Sequence, residues 1–499
     1  MTLLSRCTVV GTTLLFFSCL LNAGTPSRIT TPVERVSFAH VTSYDSLQSF
    51  LRMLNGRPGF TVEPIAVTKQ GRTVSVVTIT SSKTFGSDPK KLRVLLFAQQ
   101  HGDEPSGKEA LTLLLAKFAN GEHADWLNVM DLLIVPQMNP DGGELRQRRT
   151  SDSVDLNRTH FSLFPAETRG LHDLFYRWMP QVNMDIHEYM SGKEWADSGI
   201  AKRGDAVLGV LTHPNAPQEI VRYETQTVFP ALQKEVQAKG FRYHEYLVGS
   251  PDTRIRRSTT ELNDGRQSIG ILGTLSFIQE GLKWGSVDDT LWRRATAQLT
   301  GVEALLGFCA AHTLEIMSMV ENARKERTTL AGTPVSLRNE RELGTEVMKI
   351  PVWDLKQNAF REWTVTPFQS KVVTYLSAPM PAGYIIPKRL TPVIDWLTRH
   401  HVAFETVSAS KSVKAEQFRL DSIATEIWEE DPKAAAVGSW SAATVTLQPG
   451  DVIVRTNQIQ SVTLAVGLEP QSVWGLIGYA AFAPLLQTPG IYPIARMLP

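Results

Sequence analysis

His101-Gly102-Asp103-Glu104 sets an imidazole and a carboxylate three positions apart, and Asp185-Ile186-His187 supplies a second imidazole. Imidazole nitrogen and carboxylate oxygen are zinc ligands, and three of them leave one tetrahedral position open for water, as a catalytic metal site requires. A zinc ion held there would lower that water's pKa and polarise a carbonyl under attack. A carboxylate elsewhere must then take the water proton and pass it to the leaving amine. Singly, each pattern has a plainer reading. A His-x-x-Glu arises by accident about half the time in a chain with this many histidines, usually on a surface helix. An isolated Asp-x-His at a strand end is more often a core histidine satisfied by its neighbours. Order and context along the chain separate the two readings.

The elements that must position these residues are legible. Thr73–Ile79 and Leu92–Ala98 read as strands, the second apolar enough to be buried on both faces. Ser106–Phe118 has apolar residues at helical spacing. Leu132–Val135 is another buried strand, Glu167–Trp178 a helix, and Gln181–Ile186 a strand again. This alternation predicts an α/β fold: a mixed, mainly parallel twisted sheet covered by helices on both faces. His101–Glu104, the loop Asn139–Arg158 and Asp185–His187 all fall at the C-terminal ends of predicted strands, where open α/β sheets bind ligands.

With these motifs in order, the chain resembles the zinc carboxypeptidase (M14) family. The matching residues are His101-Gly102-Asp103-Glu104, Asn139-Pro140-Asp141-Gly142, Arg148 through Asp155-Leu156-Asn157-Arg158, Asp185-Ile186-His187, and Ser276-Phe277-Ile278-Gln279-Glu280-Gly281. They span roughly residues 90 to 285. The resemblance implies one Zn2+ ion on His101, Glu104 and His187, with Asp155 orienting the His101 ring. It implies that Arg148 polarises the scissile carbonyl, that Asn157 and Arg158 grip a substrate carboxylate, and that Glu280 is the general base and then acid. The substrate expected is a peptide with a free C-terminus, shortened one residue at a time.

Two departures bear on substrate class. The family's lid tyrosine, some twenty residues before the glutamate, is replaced by Ser258, and Tyr243 and Tyr246 lie farther upstream. The stretch between Glu104 and His187 is also short, nearer to the related acyl-amino-acid deacylases. An N-acyl-amino-acid deacylase or amidase on the same site is therefore an alternative, with a non-catalytic peptide- or wall-binding protein behind it. The run Arg254–Arg257 with Arg266 would draw acidic substrates if it lines the cleft, and is otherwise a solvated face.

Bulk properties frame the rest. With 499 residues, two domains are expected: a catalytic one over 28–327 and a smaller mixed α/β accessory domain over 335–499. The resemblance compares the latter with domains found on some bacterial carboxypeptidase-like proteins. A net charge of +1, from 51 basic and 50 acidic residues, argues against a nucleic-acid partner. Arg6, the apolar run Val9–Leu21 and Asn22-Ala23-Gly24 predict a signal peptide over 1–24, shorter than the ~20 apolar residues of a membrane span. Periplasmic or extracellular residence follows, with no integral membrane segment after cleavage. Cleavage would remove Cys7 and Cys19 and leave Cys309 on a buried helix face, without a disulfide framework. His400-His401 is read as a solvent-facing helix end, and Glu188 as a surface residue. No feature specifies an oligomeric state.

Overall fold

The computed structural model describes residues 28–283, 288, 290–428, 431–482 and 490–498, and the expected signal peptide lies outside them. Its centre is an eight-stranded sheet. The strands are β1 (Phe60–Val67), β2 (Thr73–Ile79), β3 (Leu92–Ala98), β4 (Met130–Val135), β5 (Val182–Tyr189), β6 (Ala206–Gly209), β7 (Tyr243–Glu245) and β8 (Leu275–Leu282). Their order is β1-β2-β4-β3-β5-β8-β6-β7. The central run β4, β3, β5, β8 is parallel, while β2 and β6 run against their central neighbours. The expected mixed, mainly parallel sheet between helices is present.

Strand alternation explains both cores. Val94, Leu96 and Ala98 of β3 face one hydrophobic cluster, while Leu95 and Phe97 face another. On β4, Leu132 and Ile134 divide from Leu133 and Val135 in the same way. Both faces are thus apolar, as parallel strands under two helical layers must be. Helices Ser106–Ala119 and Leu291–Ala311 cover the first face. Helix Ala166–Trp178 and the C-terminal part of the chain cover the second. On β5 and β8 the second face abandons the apolar pattern: Asn183, Asp185 and His187 stand there, with Ser276 and Glu280 beside them.

Two helices, Leu291–Ala311 and Thr313–Arg327, follow the sheet and meet at 87°. Thr313 Oγ1 bonds the Cys309 carbonyl at 2.9 Å and His312 Nδ1 lies 2.9 Å from the Phe308 carbonyl, so side chains terminate the first helix. Cys309 is buried and unpaired. Among the described residues no single helix is long and apolar enough to cross a membrane.

The C-terminal part is built on an antiparallel sheet whose longest hairpin pairs Lys411–Trp428 with Asp431–Leu447. Helices Thr391–Arg399 and Ser461–Leu468 pack on it. Strand Lys349–Asp354 pairs with Ile200–Lys202, and Phe368–Gln369 with Ile255–Arg256, so this part also extends sheets of the preceding one. Glu469 follows Ser461–Leu468 and is buried against Tyr384 and Arg496.

Candidate metal centre and active site

The loop after β3 carries His101 and Glu104, and its turn is made at Gln99, whose φ of 56° is left-handed. Gln99 Nε2 bonds the Gly102 carbonyl and holds the turn. A Cβ on Gly102 would stand 2.0 Å from the Gly142 carbonyl carbon, so glycine is required where this loop meets the loop after β4. Asn139 closes the contact: Oδ1 caps the short helix Pro140–Leu145 through Gly142 N, and Nδ2 bonds the Gln100 carbonyl. His187 and Glu280 are register partners on adjacent parallel strands and share one face.

These elements bring His101, Glu104 and His187 together, all buried. His101 Nδ1 lies 2.9 Å from Glu104 Oε1 and 3.1 Å from His187 Nδ1, and His187 Nδ1 lies 3.0 Å from Glu104 Oε2. Ligands about 2 Å from a tetrahedral zinc stand about 3.3 Å apart, close to these separations. The donor set therefore fits one zinc ion. Each imidazole turns Nε2 away from the others onto a carboxylate: His101 to Asp155 Oδ1 at 3.1 Å, His187 to Asp185 Oδ1 at 2.9 Å. Such partners fix ring orientation and raise ligand basicity. Gln100 Nε2 supports Asp185 Oδ2 at 2.8 Å.

The electrostatics are those of a tightly packed charge cluster. Burial alone would lower the histidines, but the Glu104 and Asp155 carboxylates raise His101, and those of Asp185 and Glu104 raise His187 well above its usual value. Burial opposes ionisation of Glu104, yet the two imidazoles hold it well below the carboxylate range. Asp155 is likewise held down, against burial, by His101, Arg148 and Arg158. Burial raises Glu280, an effect the nearby histidines reduce and Glu104 reinforces.

His101, Glu104, Arg148, Asn157, Arg158 and Glu280 all line one cleft of about 130 Å³. Arg148, partly exposed, lies 3.1 Å from His101 Nδ1 and donates to Asp155 Oδ2. Asn157 Oδ1 accepts from Gly265 N and Gln100 Nε2, leaving the amide NH2 as its group for the cleft. Arg158 donates to the Asn157 carbonyl and approaches Glu261 at 3.6 Å.

Several expectations change. Glu188 is buried, paired with Arg294 Nε at 2.7 Å and bonded to Ser106 N, because the strand turns it beneath the helix rather than to solvent. Arg266 is fully buried behind the cleft, held by Ser258 and Asp264, and Arg257 is paired with Glu245. Tyr243 bonds Gln279 in the core, whereas Tyr246 lines the cleft and hydrogen-bonds Glu280. Sequence reading did not assign Tyr246, Asp185 or Gln100. Only the period of two along β5, which sets residues 185 and 187 on one face, signals Asp185.

Residues 47–189 match the zinc carboxypeptidase family. Carboxypeptidase 2 of Trichophyton tonsurans is 25% identical over 447 residues, 86% of this chain and 81% of its own. Carboxypeptidase E of Caenorhabditis elegans is 36% identical over 117 residues, 20% of this chain and 24% of its own. A metallo-carboxypeptidase structure from Burkholderia cenocepacia superposes with a TM-score of 0.44 and 18% identity, covering 56% of this chain and 71% of that one. The motif order, the His-Glu-His cluster and the family match converge: residues 47–189 match the zinc carboxypeptidase (M14) family, the chain is similar along most of its length to a carboxypeptidase, and together these support a peptide hydrolase.

Proposed function

We propose that the protein removes C-terminal residues from peptides, with Glu280 as general base and then acid. The observation that carries this is the register of Glu280 beside His187, in a cleft shared with Arg148, Asn157 and Arg158. One zinc ion on His101, Glu104 and His187 supplies an acidified water and a Lewis acid when bound. Arg158, whose planar fork suits a carboxylate, and the Asn157 amide take the substrate's terminal carboxylate. That anchoring sets the last peptide bond near Glu280. Arg148 offers its fixed positive charge to the carbonyl oxygen as negative charge develops there. Glu280 takes the proton of the attacking water and returns it to the leaving nitrogen as the C–N bond breaks. A carboxyl raised by burial is suited to both halves of that transfer.

Mass spectrometry of paired peptides with free and amidated C-termini, with and without a zinc chelator, tests this. Chelator-sensitive loss of single residues from the free-ended member alone is the expected result. Trimming of both members would remove the clamp assignment. A second reading, hydrolysis of N-acyl-amino acids, is favoured by Ser258 at the lid position and by the small cleft. Turnover of acylated amino acids without any peptide trimming would select it. Export is the compartment proposed, and a mature N-terminus just after Ala23 or Gly24 would mark signal cleavage.

A further inference from the structure

The loop that carries Asn157 and Arg158 is held at both ends of a short span. At its start, Gln100 Nε2 reaches Asn157 Oδ1 at 3.2 Å, and farther along His160 Nε2 lies 2.7 Å from Gln100 Oε1. At its far side stands Phe161, three residues beyond Arg158 and buried. The Phe161 carbonyl accepts Trp396 Nε1–H at 2.8 Å and His400 Nε2–H at 2.8 Å, donors 235 and 239 positions away. Both lone pairs of one backbone carbonyl are thus taken by side chains of the C-terminal part. The Phe161 ring packs among Trp396 (5.6 Å), His400 (6.1 Å) and Tyr479 (6.2 Å). Gly467 permits the approach: a Cβ there would stand 2.7 Å from Trp396 and 3.3 Å from Phe161. His400 is itself fixed, since Gln460 Nε2 bonds the His400 and His401 carbonyls at 3.2 Å each.

A loop end is ordinarily the most mobile part of a chain. Here the segment after the clamp is instead held on both sides: His160 bonds Gln100, His172 and the Asn263 carbonyl, while the Phe161 carbonyl is taken by two side chains of the C-terminal part. We infer that Trp396 and His400 are positioning residues of the active site: by holding the Phe161 carbonyl they keep Asn157 and Arg158 aimed at a substrate carboxylate. The C-terminal part is then a component of substrate recognition. This rests on the reading of Asn157 and Arg158 as the carboxylate clamp.

The test uses full-length, zinc-loaded protein with Glu280→Gln, so that peptides bind without being consumed. Titration calorimetry compares a free-ended peptide with its amidated twin in Trp396→Phe, His400→Phe and the double variant. Trp396→Phe removes the N–H donor and keeps an aromatic ring, at the cost of part of the indole's buried volume, which the amidated twin and the His400→Gln rescue control for. The double variant should bind the free-ended peptide about tenfold more weakly, the worth of one or two hydrogen bonds, with the amidated twin unchanged. His400→Gln, which restores an N–H donor, should recover most of the loss. Unchanged affinity for the free-ended peptide beside a lowered melting temperature would overturn the inference and leave the two residues as packing alone. Amide hydrogen exchange over residues 157–163, measured without peptide, reads the holding step by itself: it should quicken in the double variant, and unaltered exchange would overturn the inference. Arg158→Ala reads the clamp. If it leaves the preference for the free end intact, the clamp assignment fails, and the inference fails with it even if exchange quickens.

Discussion

At the scale of single residues, the site is organised by the carboxylates behind the ligands as much as by the ligands. His101 and His187 present Nδ1 to the metal position because Asp155 and Asp185 engage both Nε2 atoms. Asp185→Asn keeps the shape and removes the charge that orients His187. Zinc affinity should fall about 10- to 100-fold, the usual cost of losing such a partner, and a competitive chelator titration would measure it. An unaltered affinity would mean that packing alone orients the ring. Glu280→Gln should act differently. Turnover should drop about 10²- to 10⁴-fold with zinc stoichiometry retained, because in the proposed reaction Glu280 serves proton transfer and not the metal. Turnover near that of the parent would remove it from the reaction. The candidate ligands were legible because motif spacing marks them. Glu188 was not, because a single charged residue carries no sign of the helix that folds over it, and Arg294, its partner, lies 106 positions away.

At the scale of elements, local periodicity is a faithful guide and long-range pairing is not. The strand over 92–98 and the helices beginning near 106 and 166 stand where apolar spacing puts them, because each buries a face that spacing reveals. The return of Lys349–Asp354 to pair with Ile200–Lys202 leaves no local trace, since edge pairing depends on backbone groups common to all sequences. The break at His312 was hidden for a related reason: the residues around it are good helix formers, and the bend arises from side chains competing for carbonyls. The contact between the loops after β3 and β4 is the most constrained element junction in the site. Gly102→Ala would drive a methyl group onto the Gly142 backbone, where no side chain can yield. A loss of about 1–3 kcal/mol is expected by denaturant titration, with weaker zinc retention because the same loop carries two ligands. Parent-like stability would show that the loops can separate without cost.

At the scale of the whole molecule, the second hydrophobic core joins the catalytic sheet to the C-terminal part, and buried histidines lie within it. His160 and His172 stand 3.1 Å apart, and the His172 ring meets His400 edge-on at 6.1 Å. His400 was expected at a solvent-facing helix end, but the helix lies against Phe161 and buries it. Burial pushes His160 down to about 3, His172 well below its usual value and His400 to about 4. All three are therefore neutral in the folded protein at pH 7, against an ordinary value of 6.5 in the unfolded chain. The sign of the linkage follows. Above pH 6.5 neither state binds protons at these sites and their contribution is complete. As pH falls from 6.5 towards 3 the unfolded chain takes up protons that the fold refuses, and stability declines. For His400 alone the loss on passing below pH 4 is on the order of 3 kcal/mol. The candidate metal ligands also respond to acid, so wild-type acid sensitivity by itself would not isolate the cluster. The difference between parent and His172→Phe does: the ligands are common to both proteins and cancel. Denaturant titrations of the zinc-loaded pair between pH 4.5 and 7.5 should show the smaller pH slope in His172→Phe, whatever its stability at pH 7.5. Parallel slopes would mean that His172 accepts its proton in the fold, through local opening of the seam between the two parts, and would relocate the acid sensitivity to the metal centre.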